Sequence, residues 1–417
     1  MKLIFLGGTK EVGRSAILLD IDDKKILLDY GVMLNNEPSF PAYVPAKDID
    51  LIALSHAHLD HSGAIPLFFT YGKTKLVSTS LTFETSRILF QDFIKLSGYY
   101  LPYEYLEVHH MLKEGEKIFY NEVFSNKDLD LFFIEAGHIP GSGQIIINSS
   151  KRILYTGDFS TIESRLLKGA EIESKDLDAV IIEATYANED HENRKELEKR
   201  FIQEITEIVE EKGRVLIPAF SVGRAQEILC ILAAYNFNYP IALDGMAVKV
   251  LEIYLRNKEY IKDFHLLKKA ANKVDFITGR KKRKKVLERP GVIISPAGML
   301  KGGPAAFYAE KIAENKRDAI FLVSFQIKNT PGAILLEEGK YLINGKEKKV
   351  KAKVKQFKFS SHCGRKELHD FLKKLDTKTK IFIIHGEKEN CLALEKYARS
   401  NLSLEAYAVD RGSSFYI

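Results

Sequence analysis

Between Ser55 and Pro66 the sequence reads SHAHLDHSGAIP, which places His56, His58, Asp60 and His61 within six residues of a chain that holds 11 histidines among 417 residues. Imidazole nitrogens and carboxylate oxygens bind borderline and hard cations, and four such donors on one short stretch suit a site for two of them. The run LIALSH (51–56) reads as a strand that ends on this stretch. His56 and His58 alternate and so project to one side, while Asp60 and His61 follow a turn later, where a helix starts. A chance cluster or a helix cap is the plainer reading, and it leaves the density of histidines unexplained. One hexamer does not complete two coordination shells, so further donors are expected at other strand ends. His138 in EAGHIPGSG and Asp158 in LYTGDFS stand beside glycines, and His385 in IIHGE ends an apolar run. Each alone reads as a satisfied core histidine or a turn aspartate. Beside the hexamer they supply what it lacks.

The elements that must position these donors alternate along the chain. Runs at 3–6 (LIFL), 26–30 (ILLDY), 51–56, 153–158 (ILYTGD) and 180–185 (VIIEAT) predict strands ending in a polar residue, and residues just past strand ends are where sheet proteins build their sites. A helix is expected over 82–98, closed by Gly98. From about 190 the texture changes. A long charged amphipathic helix over 192–213 is followed by a buried strand (RVLIPAF, 214–220), a helix over 221–235 with Ser221 at its N-cap, and a strand at 240–244. Strand, helix and strand make a βαβ-like unit with a parallel sheet of its own. Strands are expected again at 357–362 and 380–387.

Composition excludes several classes. Hydrophobic residues at 45% and charged residues at 28% are those of a globular protein. No apolar run approaches the roughly 18 residues that span a bilayer, and the N-terminus meets glycine and charge too early for a signal peptide, so the cytoplasm is the expected compartment. Cys230, Cys363 and Cys391 are far apart and give neither a disulfide framework nor a cysteine zinc site. The net charge of +6 is unevenly spread: Arg280, Lys281, Lys282, Arg283, Lys284 and Lys285 run consecutively, and KVKAKVKQF (349–357) alternates lysine with smaller apolar residues. The hexamer is either a solvated loop or a phosphate-binding patch. The alternating segment predicts a half-buried strand with lysines outward, where charge also protects a sheet edge.

The ordered motifs HAHLDH, His138 and the TGD aspartate Asp158 resemble those of the metallo-β-lactamase superfamily. Glu183 in IEATY, His362 in FSSHCGR and His385 in HGE resemble the three motifs of its β-CASP nucleases, and PAFSVGRAQEIL (218–229) and SPAGMLKGGPA (295–305) are similar to that branch's inserted domain. Within the branch the sequence most resembles the nuclease subunit of the cleavage-and-polyadenylation machinery and its archaeal homologues, with ribonuclease J related. The resemblance implies an α/β fold: a metallo-β-lactamase αββα sandwich formed by 1–187 and 356–417, interrupted by an α/β β-CASP domain over 188–355 with a parallel sheet flanked by helices. It implies two zinc ions per chain, one held by His56, His58 and His138, the other by Asp60, His61 and His385, with Asp158 bridging. That division suits the chemistry, since one carboxylate can offer an oxygen to each of two cations about 3.5–4 Å apart. Asp29, ending ILLD, resembles the aspartate that accepts the free N–H of a ligand histidine in such sites.

By the same resemblance, a hydroxide held by two metals attacks phosphorus in an RNA phosphodiester, with Asp60 in the catalytic set. His362, oriented and kept protonated by Glu183, protonates the leaving oxygen. A histidine at the position of His385 goes with RNA-processing members, and endonuclease or 5′-to-3′ exonuclease action is implied. For RNA the cations at 280–285 and the lysines of 349–357 gain meaning as backbone contacts. Gly302 and Gly303, before Pro304, and the helix start from Ser221 to Arg224 could present backbone N–H groups to phosphate. Where the family carries an acidic residue and a glycine before Thr330, this sequence has Lys328 and Asn329. The sequence opens on the first strand, so weak or partner-supplied RNA preference is expected. Family members often pair through the C-terminal part of the first domain, here 386–417, and a processing complex is a possible setting. Two other classes compete. A small-molecule hydrolase of the superfamily, such as a thioesterase or lactonase, needs neither Glu183, His362 nor so large a middle domain. A non-catalytic RNA-binding subunit would lose metal ligands, and all of them are present here.

Overall fold

A computed structural model of the chain describes residues 1–21, 23–34, 37–70, 74–126 and 129–417. Two compact units emerge, the first formed by Met1–Glu163, Lys168–Asp190 and Ser361–Ile417, the second by Ser164–Leu167 and His191–Ser360.

The first unit is built on strands that are apolar on both faces. In Ala16–Ile21 (AILLDI), Ile17, Leu19 and Ile21 enter one core cluster, while Ala16 and Leu18 enter another, as a side-chain period of two requires. Such a strand needs cover on each side. Among the described residues two seven-stranded sheets supply it. The first has the order Ser414–Tyr416, Lys2–Gly7, Ala16–Ile21, Lys24–Leu28, Leu51–Ala53, Lys75–Thr79, Glu116–Ile118, antiparallel up to Lys24–Leu28 and parallel beyond. The second has the order Glu405–Ala408, Lys380–Ile384, Ala179–Glu183, Arg152–Tyr155, Gly143–Asn148, Leu129–Glu135, Val123–Asn126, parallel at its start and antiparallel after Arg152–Tyr155. Leu3, Phe5, Ile17 and Val77 of one sheet share a core with Phe133, Ile147, Tyr155 and Phe382 of the other. Helices Ser80–Ser97 and Tyr105–Glu114 cover the outer face of the first sheet through Phe83, Phe90, Val108 and Met111. Helices Arg365–Leu372 and Lys388–Leu402 cover the second through Leu368, Phe371 and Leu394. The architecture is an αββα sandwich within an α/β fold.

The second unit carries an all-parallel sheet in the order Val274–Ile277, Ile241–Asp244, Gly291–Ser295, Arg214–Pro218, Ala319–Leu322, Lys353–Gln356. Its inner strands (RVLIP, IALD, GVIIS, AIFL) are almost wholly buried, which follows when crossover helices such as Arg224–Ala234 and Gly303–Ile312 cover a parallel sheet.

Several expected elements differ. Residues 357–362 form no strand: Phe359 and Ser360 donate to the carbonyls of Phe357 and Lys358 in tight turns that a ladder excludes. The helix expected from Ser221 starts at Arg224, because Gly223 takes φ +78 at its N-cap and breaks the chain direction there. The Lys-rich strand is confined to Lys353–Gln356 at a sheet edge, and its lysines are partly spent: Lys353 and Lys355 both pair with Glu204, at 2.9 and 2.7 Å. Asn329, where a glycine was expected, adopts φ +64, a left-handed conformation that asparagine tolerates, and Thr330 caps the helix Pro331–Glu338. Among the described residues no helix is long and apolar enough to cross a membrane, and the three cysteines are buried and unbridged.

Candidate metal centre

Every donor of the centre sits just past a strand. His56 follows Leu51–Ala53, and His58 is the N-cap of the single turn Leu59–Ser62 that carries Asp60 and His61. His138 follows Leu129–Glu135, Asp158 follows Arg152–Tyr155, and His385 follows Lys380–Ile384. The HAHLDH turn is laced to the segment after Asp29: Tyr30 N–H donates to the His61 carbonyl and Val32 N–H to that of Leu59, both at 2.8 Å. The two backbones pass so closely that a Cβ on Gly31 would collide with the Asp60 carbonyl, which is why glycine stands there. Positive φ recurs where the chain enters the centre, at Asp29 (+57), Gly137 (+68), Gly157 (+51) and His385 (+46). At the glycines this costs little, but at Asp29 and His385 it is strained and persists only where the surroundings fix it.

The donors fall into two groups that share one carboxylate. His56, His58, His138 and Asp158 form one, and Asp60, His61, Asp158 and His385 the other, with the ligand atoms in each within 4.8 Å of one another. Asp158 divides its oxygens between them. Oδ2 lies 3.6 Å from Nε2 of both His56 and His138. Oδ1 lies 3.2 Å from His61 Nε2 and 3.1 Å from His385 Nδ1, and His385 Nε2 lies 3.5 Å from Asp60 Oδ2.

These donors fit a cation in each group. His138 Nδ1 stands 2.9 Å from the Ser361 carbonyl, which only accepts, so its proton resides there and Nε2 presents a lone pair. That lone pair and His56 Nε2 converge on His58 Nδ1 at 3.0 and 3.2 Å, a crowding of nitrogens that a positive ion relieves. In the second group His61 Nε2, Asp158 Oδ1 and His385 Nε2 are buried with no well-aligned hydrogen-bond partner among the described residues, a costly state for polar atoms that a cation would repair.

The electrostatics agree. Burial holds His56, His58 and His138 below the ordinary imidazole range, in the neutral form that ligates. Burial would raise Asp158, but His385, His61 and His362 hold it well below the usual carboxylate range. His61 is pushed well above the ordinary range, because Asp158 and Asp29 outweigh its burial. The field that draws a proton to His61 also draws a cation, so the two compete for it.

Asp29 is fully buried. Its Oδ1 accepts from Ser55 N–H at 2.7 Å. Its Oδ2 meets Ser55 Oγ at 2.7 Å, His61 Nδ1 at 2.7 Å and Tyr155 OH at 2.6 Å. His362 lies beside the first group, its ring centroid 4.6 Å from that of His138. Its Nδ1 meets Glu183 Oε1 at 2.9 Å, and Phe159 N–H at 3.0 Å and Thr185 N–H at 3.2 Å hold the same carboxylate. Burial works against a charge on His362, but Glu183 and Asp158 push its pKa up to about 9. His362, Glu183 and Asp158 also fall within one 4.8 Å group, although 179 positions separate the pair in sequence.

The residues expected to contact phosphate lie in the second unit. Arg280–Val286 is a helix, not a loop, on which Arg280, Lys281, Lys282, Lys284 and Lys285 are exposed. Arg283 is occupied, since it grips the buried Asp244 carboxylate at 2.7 and 3.1 Å with Tyr308 OH on the same group at 2.8 Å. Arg224 is the first residue of the helix Arg224–Ala234, and Gly302 is the N-cap of Gly303–Ile312. Sequence reasoning missed Ser55 and Tyr155, although both flank recognised motifs: Ser55 directly precedes His56, and Tyr155 opens YTGD.

Comparison with known proteins agrees with this geometry. Residues 9–199 match the metallo-beta-lactamase superfamily, 225–335 the Beta-Casp domain, and 347–409 the Zn-dependent metallo-hydrolase RNA specificity domain. The chain is 40% identical to "RNase aCSPSF2" of Saccharolobus solfataricus over 98% of its own length and 84% of that protein. It is 39% identical to "Probable RNase MJ4" of Methanocaldococcus jannaschii, covering 95% of this chain and 96% of that one. An "RNase J-like protein" of the same archaeon is 31% identical over 99% and 98% of the two chains.

Proposed function

This chain belongs to the β-CASP branch of the metallo-β-lactamase superfamily, a family of metal-dependent hydrolases with ribonuclease members, and from that premise we propose that it is a zinc-dependent ribonuclease with two zinc ions per chain, acting as an endonuclease, a 5′-to-3′ exonuclease or both. The observation that carries this reading is the division of the Asp158 oxygens between two donor groups with the His362–Glu183 pair beside them. His56, His58 and His138 would hold one ion, Asp60, His61 and His385 the other, and Asp158 would bridge. Zinc, when bound, supplies Lewis acidity and lowers the pKa of water toward about 7.

The remaining work falls to the chain's own side chains. Asp60 and Asp158 supply the negative charge that fixes cations against a phosphodiester. His362 carries a proton on its exposed side, because Glu183 holds the Nδ1 end, and it gives that proton to the departing sugar oxygen. Glu183 is in turn fixed by two backbone amides and stays a proton-accepting anchor. A thiolate leaves without a proton, so a thioester substrate has no need of this pair, which favours RNA over that class. In the second unit the exposed cations of Arg280–Val286 offer backbone contacts whatever the RNA sequence. Arg224 and the amides at Gly302 and Gly303 offer further phosphate contacts. The edge strands Glu405–Ala408 and Ser414–Tyr416 both lie in 386–417, a fitting surface for a second copy.

Metal-stripped protein reconstituted with increasing zinc tests this reading. RNA cleavage should saturate at two equivalents per chain, with no comparable hydrolysis of a thioester or lactone. Thioester hydrolysis without RNA cleavage would overturn it.

A further inference from the structure

We propose that Ser55 and Tyr155 are positioning residues which, through the Asp29 carboxylate, fix the ring orientation and proton placement of one histidine in each donor group. The inference rests on the reading that the two groups hold zinc, and it assigns work to side chains outside both of them.

A carboxylate has no proton to give, so all four groups around Asp29 must donate to it. Ser55 N–H reaches Oδ1, and Ser55 Oγ, His61 Nδ1 and Tyr155 OH reach Oδ2. Two consequences follow. His61 carries its proton on Nδ1 and turns Nε2 toward Asp158. Ser55 has one hydroxyl proton and spends it on Asp29, so its contact with His56 Nδ1 at 3.0 Å is one in which Ser55 accepts. His56 therefore also carries its proton on Nδ1 and turns Nε2 toward Asp158 and His58. One buried carboxylate thus sets a histidine in each group, His61 directly and His56 through Ser55.

Tyr155 keeps that carboxylate still. The terminal torsion of an aspartate is broad, and without the phenol Asp29 would be held only by Ser55 and by the histidine it must orient. The Tyr155 ring is locked in the core between the two sheets, and its hydroxyl lies 2.6 Å from Oδ2. For packing alone a phenylalanine would serve, since a buried hydroxyl costs stability unless bonded. Tyr155 also ends the strand Arg152–Tyr155, three residues before Asp158. The same strand end therefore places the carboxylate that both groups share and clamps the one that orients their histidines.

Zinc affinity measured by chelator competition on wild type, Tyr155→Phe, Ser55→Ala and Ser55→Thr tests the proposal, with thermal unfolding of each protein in stripped and zinc-loaded form. Tyr155→Phe and Ser55→Ala should bind zinc about 10–100-fold more weakly, and Ser55→Thr, which keeps the hydroxyl, should recover most of the loss. The rise in Tm on adding zinc should shrink in the two weakened variants, a change that a purely structural defect, lowering both forms together, would not produce. Should Ser55→Ala fail to fold, Tyr155→Phe carries the test alone. Wild-type affinity in the variants would overturn the proposal and leave the zinc reading standing, whereas a wild type that takes up no zinc would overturn both.

Discussion

The donor cluster of the first unit and the basic helix of the second are both dense runs of one chemistry in the sequence, yet folding treats them in opposite ways. In the cluster most side chains are buried and several are gripped at the far end: His138 by the Ser361 carbonyl, His61 by Asp29, Glu183 by two amides. On Arg280–Val286 Arg283 is gripped by Asp244, which Tyr308 also holds, Lys282 reaches the Phe276 carbonyl at 3.3 Å from the surface, and the remaining cations stand in solvent. The helix even opposes itself. Arg280 and Lys284, like Lys281 and Lys285, are like charges four residues apart, and cations in a first turn face the positive end of the helix dipole. A run of like residues becomes a rigid site only when the fold supplies a second partner for each. Without those partners it offers charge without geometry, which suits a phosphate backbone.

The sharpest way to break this contrast is at the shared carboxylate. Asp158→Ala should remove zinc from both groups at once, read by metal analysis, and abolish RNA cleavage; retention of one full equivalent would show that the groups are independent. His362→Ala comes next, with kcat expected to fall by about 10²–10⁴ while both zinc ions stay bound. Glu183→Gln should act through the same ring in a distinct manner. His362 is raised to about 9 by Glu183 and Asp158, so its acid form persists below that pH and is lost above it. Without the Glu183 charge the loss moves to lower pH, and the alkaline limb of the rate profile should shift in that direction.

On the second unit Arg283→Ala should lower stability by about 1–3 kcal/mol, the cost of leaving a buried carboxylate short of a charged partner. Chemical denaturation measures it, and an unchanged midpoint would remove Arg283 from the structural role. The smallest effect belongs to the exposed lysines. Lys281→Ala with Lys285→Ala should leave Tm unchanged and reduce the slope of log affinity against log salt by about 0.7 per lysine on single-stranded RNA.

Much of this was legible in the sequence because strand ends and donor spacing are local. HAHLDH, the TGD aspartate and HGE each announce a donor at the end of an apolar run, and the sandwich places all of them past strands. The supporting partners were less legible, since they come from elsewhere in the chain: Tyr155 reaches Asp29 across 126 positions. Nor does a period-two reading see tight turns, which is why Phe357 to His362 resembles a strand and forms none. The anchoring of Arg283 was hidden for a related reason. RKKRKK offers two arginines, and nothing in the string separates the fourth cation from the first until helix geometry turns Arg283 toward Asp244.

RNA cleavage at this centre, with His362 supplying the proton, can be tested in one assay. The most direct measurement incubates zinc-loaded wild type and His362→Ala with a circular RNA and a linear RNA of the same sequence bearing a labelled 5′ monophosphate. Wild type should cut at least one of them, the circle if it acts as an endonuclease and the linear strand to mononucleotides if it acts from the 5′ end, and His362→Ala should lose that activity with its zinc in place. An intact circle and an intact linear strand beside a fully loaded wild type would contradict it.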